Sequence, residues 1–485
     1  MQSYVRIAGL LSFFISTSGF ALEGLSFSHG DWQVVCDNTN TCRAVGYHSY
    51  IQEPQDNNSA PVSVILQRQA GANAQIQGKV KFAEGSYDID GREGGNEIFK
   101  LVINDSYMSH LGPEMPAYEE QGMRFSGERE LSQDQISQLL NALTMKGRVS
   151  IKFTNSTGNE WHLSTSGSTA VLLKMDDFQG LVDTPFGIVK KGQSIGNIVQ
   201  PKQAPVISIP LTSASVQQGS LTTDKDRRLA TDPEFKLRMK NAINQCDFVP
   251  SDSDDLKLEV SRLTKTQLVV TAPCWSAAYN YGDGVWLVDD NPAIEPKFIT
   301  DSSTNYANGI IDEFMKGRGI ADCVSAKRLI WNGSDFILAD DYSTGDCREI
   351  AMGGAWYLPT QVSTVILGDD PAAGIDCQSE QAYNTEGMTK CGQLELANVE
   401  WKLTEVIKSI SALEHVANNS ELSTAYGQAQ SSWLSYRNDA CRAEMLTYEQ
   451  GSMAIPVLIG CKLDLTEKRL KELQLTKESL SFRDY

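Results

Sequence analysis

The 485-residue chain is poor in histidine, with five, and in basic residues, with 42 Lys and Arg against 61 Asp and Glu. The formal charge of −19 repels nucleic acid and anionic lipid, so no nucleic-acid partner is expected and basic partners become the interesting ones. The histidines, His29, His48, His110, His162 and His415, show no HExxH or other close metal spacing, and no C-x-x-C pair offers a zinc site. Asp88-x-Asp90 and Asp252-x-Asp254-Asp255 lack the remaining ligands of a calcium loop. The glycines at 91–96 lack the strand–helix flanks and lysine of a phosphate loop and read as a turn. Ser164 and Ser168, beside His162, read as hydroxyls bonded to backbone. No catalytic residue, metal or cofactor is therefore expected. Beyond the first residues, no apolar run reaches the roughly 18 residues of a membrane span.

What is present begins with Arg6, an apolar stretch over 7–14, and small Gly19 and Ala21. This pattern reads as a secretory signal peptide over 1–21, cleaved after Ala21, which sends the protein to the periplasm. No cysteine follows the cleavage site to take a lipid. Ten cysteines suit an oxidising compartment: Cys36, Cys42, Cys246, Cys274, Cys323, Cys347, Cys377, Cys391, Cys441 and Cys461. The even count and the clustering suggest five bridges between sequence neighbours, although a count alone leaves connectivity open.

The expected class is α+β: β-rich N-terminal and middle regions with antiparallel sheets and a few helices, then a small C-terminal helical bundle with disulfides. Residues 22–200 form the first domain, with strand-like runs at 31–36, 41–47, 61–66, 99–103 and 149–153. Two helices interrupt them, one capped by Ser132 with Gln135 three residues on, and one over 170–178. A Gln/Pro/Lys stretch near 200 opens the middle domain, 201–368. There Asp232-Pro233 starts a helix, and strands at 256–260, 267–272, 284–288, 327–331 and 335–339 suggest an antiparallel meander. The Gly/Asp/Pro/Ala run at 368–374 is a linker. Beyond it, at 375–485, the period turns helical over 385–410 and 421–446, with Ser420 as an N-cap and a third helix from near Thr466.

The C-terminal segment resembles the LprI-like lysozyme-inhibitor domain of secreted bacterial proteins. The resemblance covers about 376–473. It rests on Cys377, Thr385-x-x-Met388-x-x-Cys391, Ala429-Gln430-x-x-Trp433-x-x-Tyr436-Arg437-x-x-x-Cys441, and Cys461 with Leu465-Thr466 and Arg469. One run departs from the family's Asp-x-x-Leu-Asn-x-x-Tyr: this chain has Asn398-x-x-Trp401-Lys402-x-x-Glu405. The body, about 30–360, is similar to a family of exported bacterial proteins of unknown function. It shares Asp31-Trp32-x-x-x-Cys36-Asp37-Asn38-x-x-x-Cys42-Arg43-Ala44-x-Gly46-Tyr47, Met175-Asp176-x-x-Gln179-Gly180, Cys274-x-x-x-Ala278-Tyr279-Asn280, Asp322-Cys323 and Cys347-Arg348.

The resemblance implies a periplasmic binding protein that is not an enzyme and whose bundle inhibits a lysozyme-like muramidase. The expected contact is the loop Tyr448-Glu449-Gln450-Gly451-Ser452-Met453, with Arg437 as a further partner-binding residue. Over 375–485 there are 11 basic and 16 acidic residues, a balance that attracts a basic lysozyme. The rival readings are an envelope enzyme acting on cell-wall glycan or peptide, and a structural envelope protein.

Overall fold

A computed structural model of the chain describes residues 24–49, 60–83, 99–115, 118–120, 123–125, 127–210, 221–248, 255–448 and 451–481. The expected signal peptide, the turn at 91–96, the acidic fragments at 88–90 and 252–254, and loop residues Glu449 and Gln450 lie outside the described residues.

The first region holds two antiparallel sheets. The six-stranded one runs Leu25–His29, Trp32–Cys36, Cys42–Tyr47, Val62–Arg68, Gln77–Phe82 and Glu128–Glu130 in spatial order. The other orders Glu160–Leu163, Ile151–Thr154, Lys100–Ile103 and Ser106–His110. They share one core with two helices, α1 (Gln133–Thr144) and α2 (Ser168–Phe178): Trp32, Val64 and Leu66 meet Phe153, Trp161, Leu139 and Met175. Ser132 and Gln135 close a capping box on α1. Gly46 is required by contact rather than by backbone angle, because a Cβ there would come within 2.2 Å of the Trp32 ring.

The opposite face of the six-stranded sheet is covered too. Val35, Val45, Tyr47 and Ile65 pack against Ile350, Ala355, Trp356 and Leu358. Trp356 Nε1 donates to Ser63 Oγ at 2.8 Å, and Arg348 Nη1 to Asp31 Oδ1 at 3.0 Å. The end of the middle region thus lies on the first.

In the middle region, α3 (Asp224–Leu229) and α4 (Pro233–Ala242) precede two meanders. Asp232 caps α4, with Pro233 in the first turn where a missing N–H is harmless. The four-stranded meander is Glu259–Arg262, Gln267–Ser276, Tyr281–Asp289 and Lys297–Ser303. The five-stranded one is Asn305–Ala307, Ile310–Lys316, Val324–Trp331, Phe336–Ser343 and Leu358–Gln361. Side-chain alternation divides the first meander: Leu268, Val270 and Trp286 meet Phe235 and Met239 of α4, whereas Val269, Val285 and Leu287 meet Trp331 and Phe336 of the second sheet. The strand expected at 256–260 begins instead at Glu259. One pair departs from the antiparallel expectation: Val206–Ile209 lies parallel to Thr364–Leu367 and joins the two ends of the region.

The last segment is helical: α5 (Thr385–Ala412), the single turn α6 (Glu414–Ala417), α7 (Ser420–Leu446) and α8 (Ala454–Ser481). Two expectations are corrected. The cap of α7 is Asn419, whose side chain accepts from Leu422 N, so Ser420 is already helical. The last helix starts at Ala454 rather than near Thr466, because Pro456 stands in its first turn, where helix N–H groups have no intrahelical partner anyway.

Candidate partner-binding site

Five disulfides close, Cys36–Cys42, Cys246–Cys274, Cys323–Cys347, Cys377–Cys391 and Cys441–Cys461, and no cysteine is free. Two of them frame the helical segment. Cys377–Cys391 pins its entry to α5, and Cys441–Cys461 ties α7 to α8 beside the turn that joins them.

The Trp433, Tyr436 and Arg437 motif is divided by the helix surface. Trp433 packs on the core of Leu403, Val406, Ile410 and Leu473, with the Arg437 and Arg469 guanidinium carbons 5.3 and 5.8 Å from its ring centroid. Arg437, expected to contact a partner, is instead only 6% exposed. Its Nη1 donates to Glu400 Oε1 at 2.8 Å and to Thr466 Oγ1 at 2.9 Å. One side chain of α7 thus braces α5 and α8, the use a five-donor cation finds when a carboxylate and a hydroxyl converge on it. Tyr436, one residue earlier, points outward at 61% exposure. Along the α5–α8 seam, burial and the nearby Glu467 carboxylate push the Glu395 carboxyl above its usual range.

Backbone hydrogen bonds hold the described residues on both sides of the turn between α7 and α8. Tyr448 N donates to Met445 O, Gly451 N to Tyr448 O and Ala454 N to Gly451 O, each within 3.1 Å. Gly451 and Ser452 are exposed. Around them Leu446, Tyr448, Met453 and Ile455 all stand in solvent. Exposed apolar side chains gathered on a cross-linked turn are unusual for a surface with no partner, and they need little ordering on contact.

The body motifs turn out to be braces. Asp37 accepts from Thr39 N and Arg43 Nη1, and Asn38 exchanges bonds with the Val362 backbone. Asp176 takes Arg68 and the N–H groups of Ile188 and Val189, while Gln179 takes Arg68 Nε and gives to Asn40 O. Asn280 exchanges bonds with the Lys316 backbone, and Asp322 is paired with Arg318. Ser164 Oγ donates to Asp31 Oδ2 and Ser168 Oγ to Leu143 O. His162 pairs with Glu160.

Gly192-Gln193-Ser194-Ile195-Gly196 has the G-x-S-x-G spacing of a nucleophile elbow. It lies in an irregular stretch, not at the strand-to-helix turn an elbow needs, and Ser194 Oγ accepts from Gly196 N at 3.2 Å.

A family model described as "Protein of unknown function (DUF1176)" matches residues 26–363, and one described as "Lysozyme inhibitor LprI" matches residues 377–473. No curated protein and no solved structure matches the chain. The first model spans both β-rich regions and the parallel strand Val206–Ile209, the second spans both disulfides of the helical segment, and the chain therefore belongs to the DUF1176 family and carries a C-terminal LprI lysozyme-inhibitor domain.

Proposed function

We propose that the protein is an exported, periplasmic binding protein without catalytic activity of its own, and that its C-terminal domain inhibits lysozyme-like muramidases. The LprI match over 377–473 carries this reading. The five disulfides suit an oxidising compartment, and among the described residues no helix is long and apolar enough to cross a membrane. A lysozyme cleaves with one protonated and one ionised carboxyl group in a cleft, so a rigid projection that fills that cleft stops it. The contact proposed is the turn Tyr448-Glu449-Gln450-Gly451-Ser452-Met453 with its apolar surroundings, because the Cys441–Cys461 bridge holds its ends. The acidic balance of 375–485 steers a basic enzyme toward it.

The test is lysis of peptidoglycan by a basic lysozyme with and without the purified full chain. The protein slows lysis, less so at high salt, and does not itself turn over peptidoglycan. Tyr448→Ala and Ser452→Trp, both at exposed positions, abolish inhibition while the far-UV spectrum stays that of the native protein. Folded protein that inhibits no lysozyme overturns the reading, and full inhibition by both variants moves the contact away from this turn.

A further inference from the structure

The run in which α5 departs from its family leads to a second site. Asn398, Trp401, Lys402 and Glu405 lie on one side of α5, and all four line a cleft of about 1030 Å³ between the helical domain and the body. The facing wall comes from the five-stranded meander, with Asp312, Arg328 and Asp340 on three of its strands and Tyr357 beside them. Gln474 and Lys477 of α8 also line it. The two walls belong to two different family matches, so neither segment forms the cleft alone. Its volume lies at the upper end of the range of small-ligand sites.

The charge of this lining runs against that of the molecule. Five cations, Arg43, Arg328, Lys402, Lys408 and Lys477, face three carboxylates, Asp312, Asp340 and Glu405, in a chain of net −19. Arg328 is held by Asp312 at 2.7 Å, and Lys408 pairs with Glu405 while lying over the Trp401 ring. Arg43 has its carboxylate, Asp37, outside the lining. Lys402 is exposed and has no ion-pair partner among the described residues. With Asp37 offsetting Arg43 and lining carboxylates offsetting Arg328 and Lys408, Lys402 is the cation that presents an uncompensated charge to the cleft. Amide side chains on both walls, Asn305, Asn308, Asn398 and Gln474, add hydrogen-bonding groups above an apolar floor of Ile310, Ile330 and Val365.

We propose that this cleft binds an anionic sugar–peptide of the muropeptide class, the choice of a cell-wall ligand resting on the periplasmic reading proposed above, with a ligand carboxylate on Lys402 and the hydroxyl- and amide-rich frame on the asparagine and glutamine side chains. A wholly apolar ligand is excluded by the charged lining, and a neutral glycan leaves Lys402 unused. The site is distinct from the turn at 448–453, so its binding is measured without any muramidase.

Calorimetric titration of the full chain tests the proposal with three probes: muramyl dipeptide, the neutral disaccharide N,N′-diacetylchitobiose and the dipeptide L-alanyl-D-glutamate. Muramyl dipeptide binds, with affinity falling as salt rises. Lys402→Glu weakens it at least about tenfold while Lys402→Arg keeps it within about twofold, since both replacements sit at an exposed position and only one reverses the charge. Absence of muramyl dipeptide binding, equal binding of the neutral disaccharide, or unchanged binding by Lys402→Glu each overturns the proposal. Equal binding of the dipeptide alone overturns the sugar half and leaves an acidic-peptide site.

Discussion

Arg437 shows how much one buried cation can hold. Its guanidinium reaches Glu400 on one neighbouring helix and Thr466 on another, with Trp433 beneath it. Glu400 is 43% exposed, so solvent screens that arm, and the hydrogen bond to fully buried Thr466 carries more of the effect. Arg437→Ala should cost roughly 1.5–3 kcal/mol, the range for charged hydrogen bonds, seen as a lower thermal midpoint of the helical domain. Arg437→Lys should restore little of it, because an ammonium lacks the planar fork. Asp226 gives a pH-dependent counterpart. Burial opposes its ionisation, but the Arg262 guanidinium and the N–H and hydroxyl of Thr223, the N-cap of α3, prevail and hold its carboxyl at about 2 instead of the usual 3.8. A carboxyl depressed on folding adds stability that is full above the unfolded value and lost as pH falls from there through about 2. Asp226→Asn should therefore be less stable at neutral pH, and the gap to the native protein should narrow between pH 3.8 and about 2 in an acid titration followed by circular dichroism.

At the scale of elements, the joint between α7 and α8 is the part on which the proposed inhibition depends. The Cys441–Cys461 bridge spans 20 residues of sequence, and the entropy that closing a loop of that size removes from the unfolded chain is worth about 3 kcal/mol of stability. Replacing both cysteines with alanine should lower stability by about that amount. If the turn is the muramidase contact, the same change should weaken inhibition at temperatures where the domain is still folded, because Leu446, Tyr448 and Met453 lose their fixed arrangement. Titrating inhibition against temperature for both proteins separates lost stability from lost preorganisation. The helix caps were readable in advance where side chain and spacing coincide, as at Ser132–Gln135 and Asp232-Pro233. They were not at Asn419 and Ser420, adjacent residues of nearly equal capping power, where only the backbone path decides. The start of α8 was hidden by Pro456, which marks either a break or a first turn.

Over the whole molecule, three segments lean on one another. The first sheet is covered on one face by residues 350–358, and α5 lays Trp401 onto Ile207, Ile330 and Val365 of the body. Trp401 is 4% exposed and Leu394 sits with Ile366 and Ala372. We propose that residues 22–200, 201–368 and 375–485 are the three units of the chain and that the 368–374 linker is the cutting point between the last two. Trp401→Ala should loosen that contact by about 3–5 kcal/mol. Limited proteolysis should then release the helical segment from the variant at protease concentrations that leave the native chain whole. Equal release from both would mean that Trp401 does not hold the segments together.

The order of β-rich body and helical tail follows from periodicity, turn residues and cysteine spacing, all of which act over a few neighbours and so are written locally. Sequence patterns also located the LprI-like segment and the loop carrying Tyr448, Gly451 and Ser452. Burial on both faces of the six-stranded sheet could not be read from its strands, since Val35 and Val45 find their cover some 300 residues later, at 350–358. The same holds for Arg437, whose position on a helix gave its direction but not the Thr466 hydroxyl waiting for it. The cleft shows the division most clearly. The departure at Lys402 and Glu405 was visible as a mismatch to a pattern, but Arg328, Asp312 and Asp340 became its opposite wall only when α5 packed on the meander. Chemistry held by one side chain is fixed by its residue, whereas chemistry that needs two surfaces exists only after distant parts of the chain have been brought together.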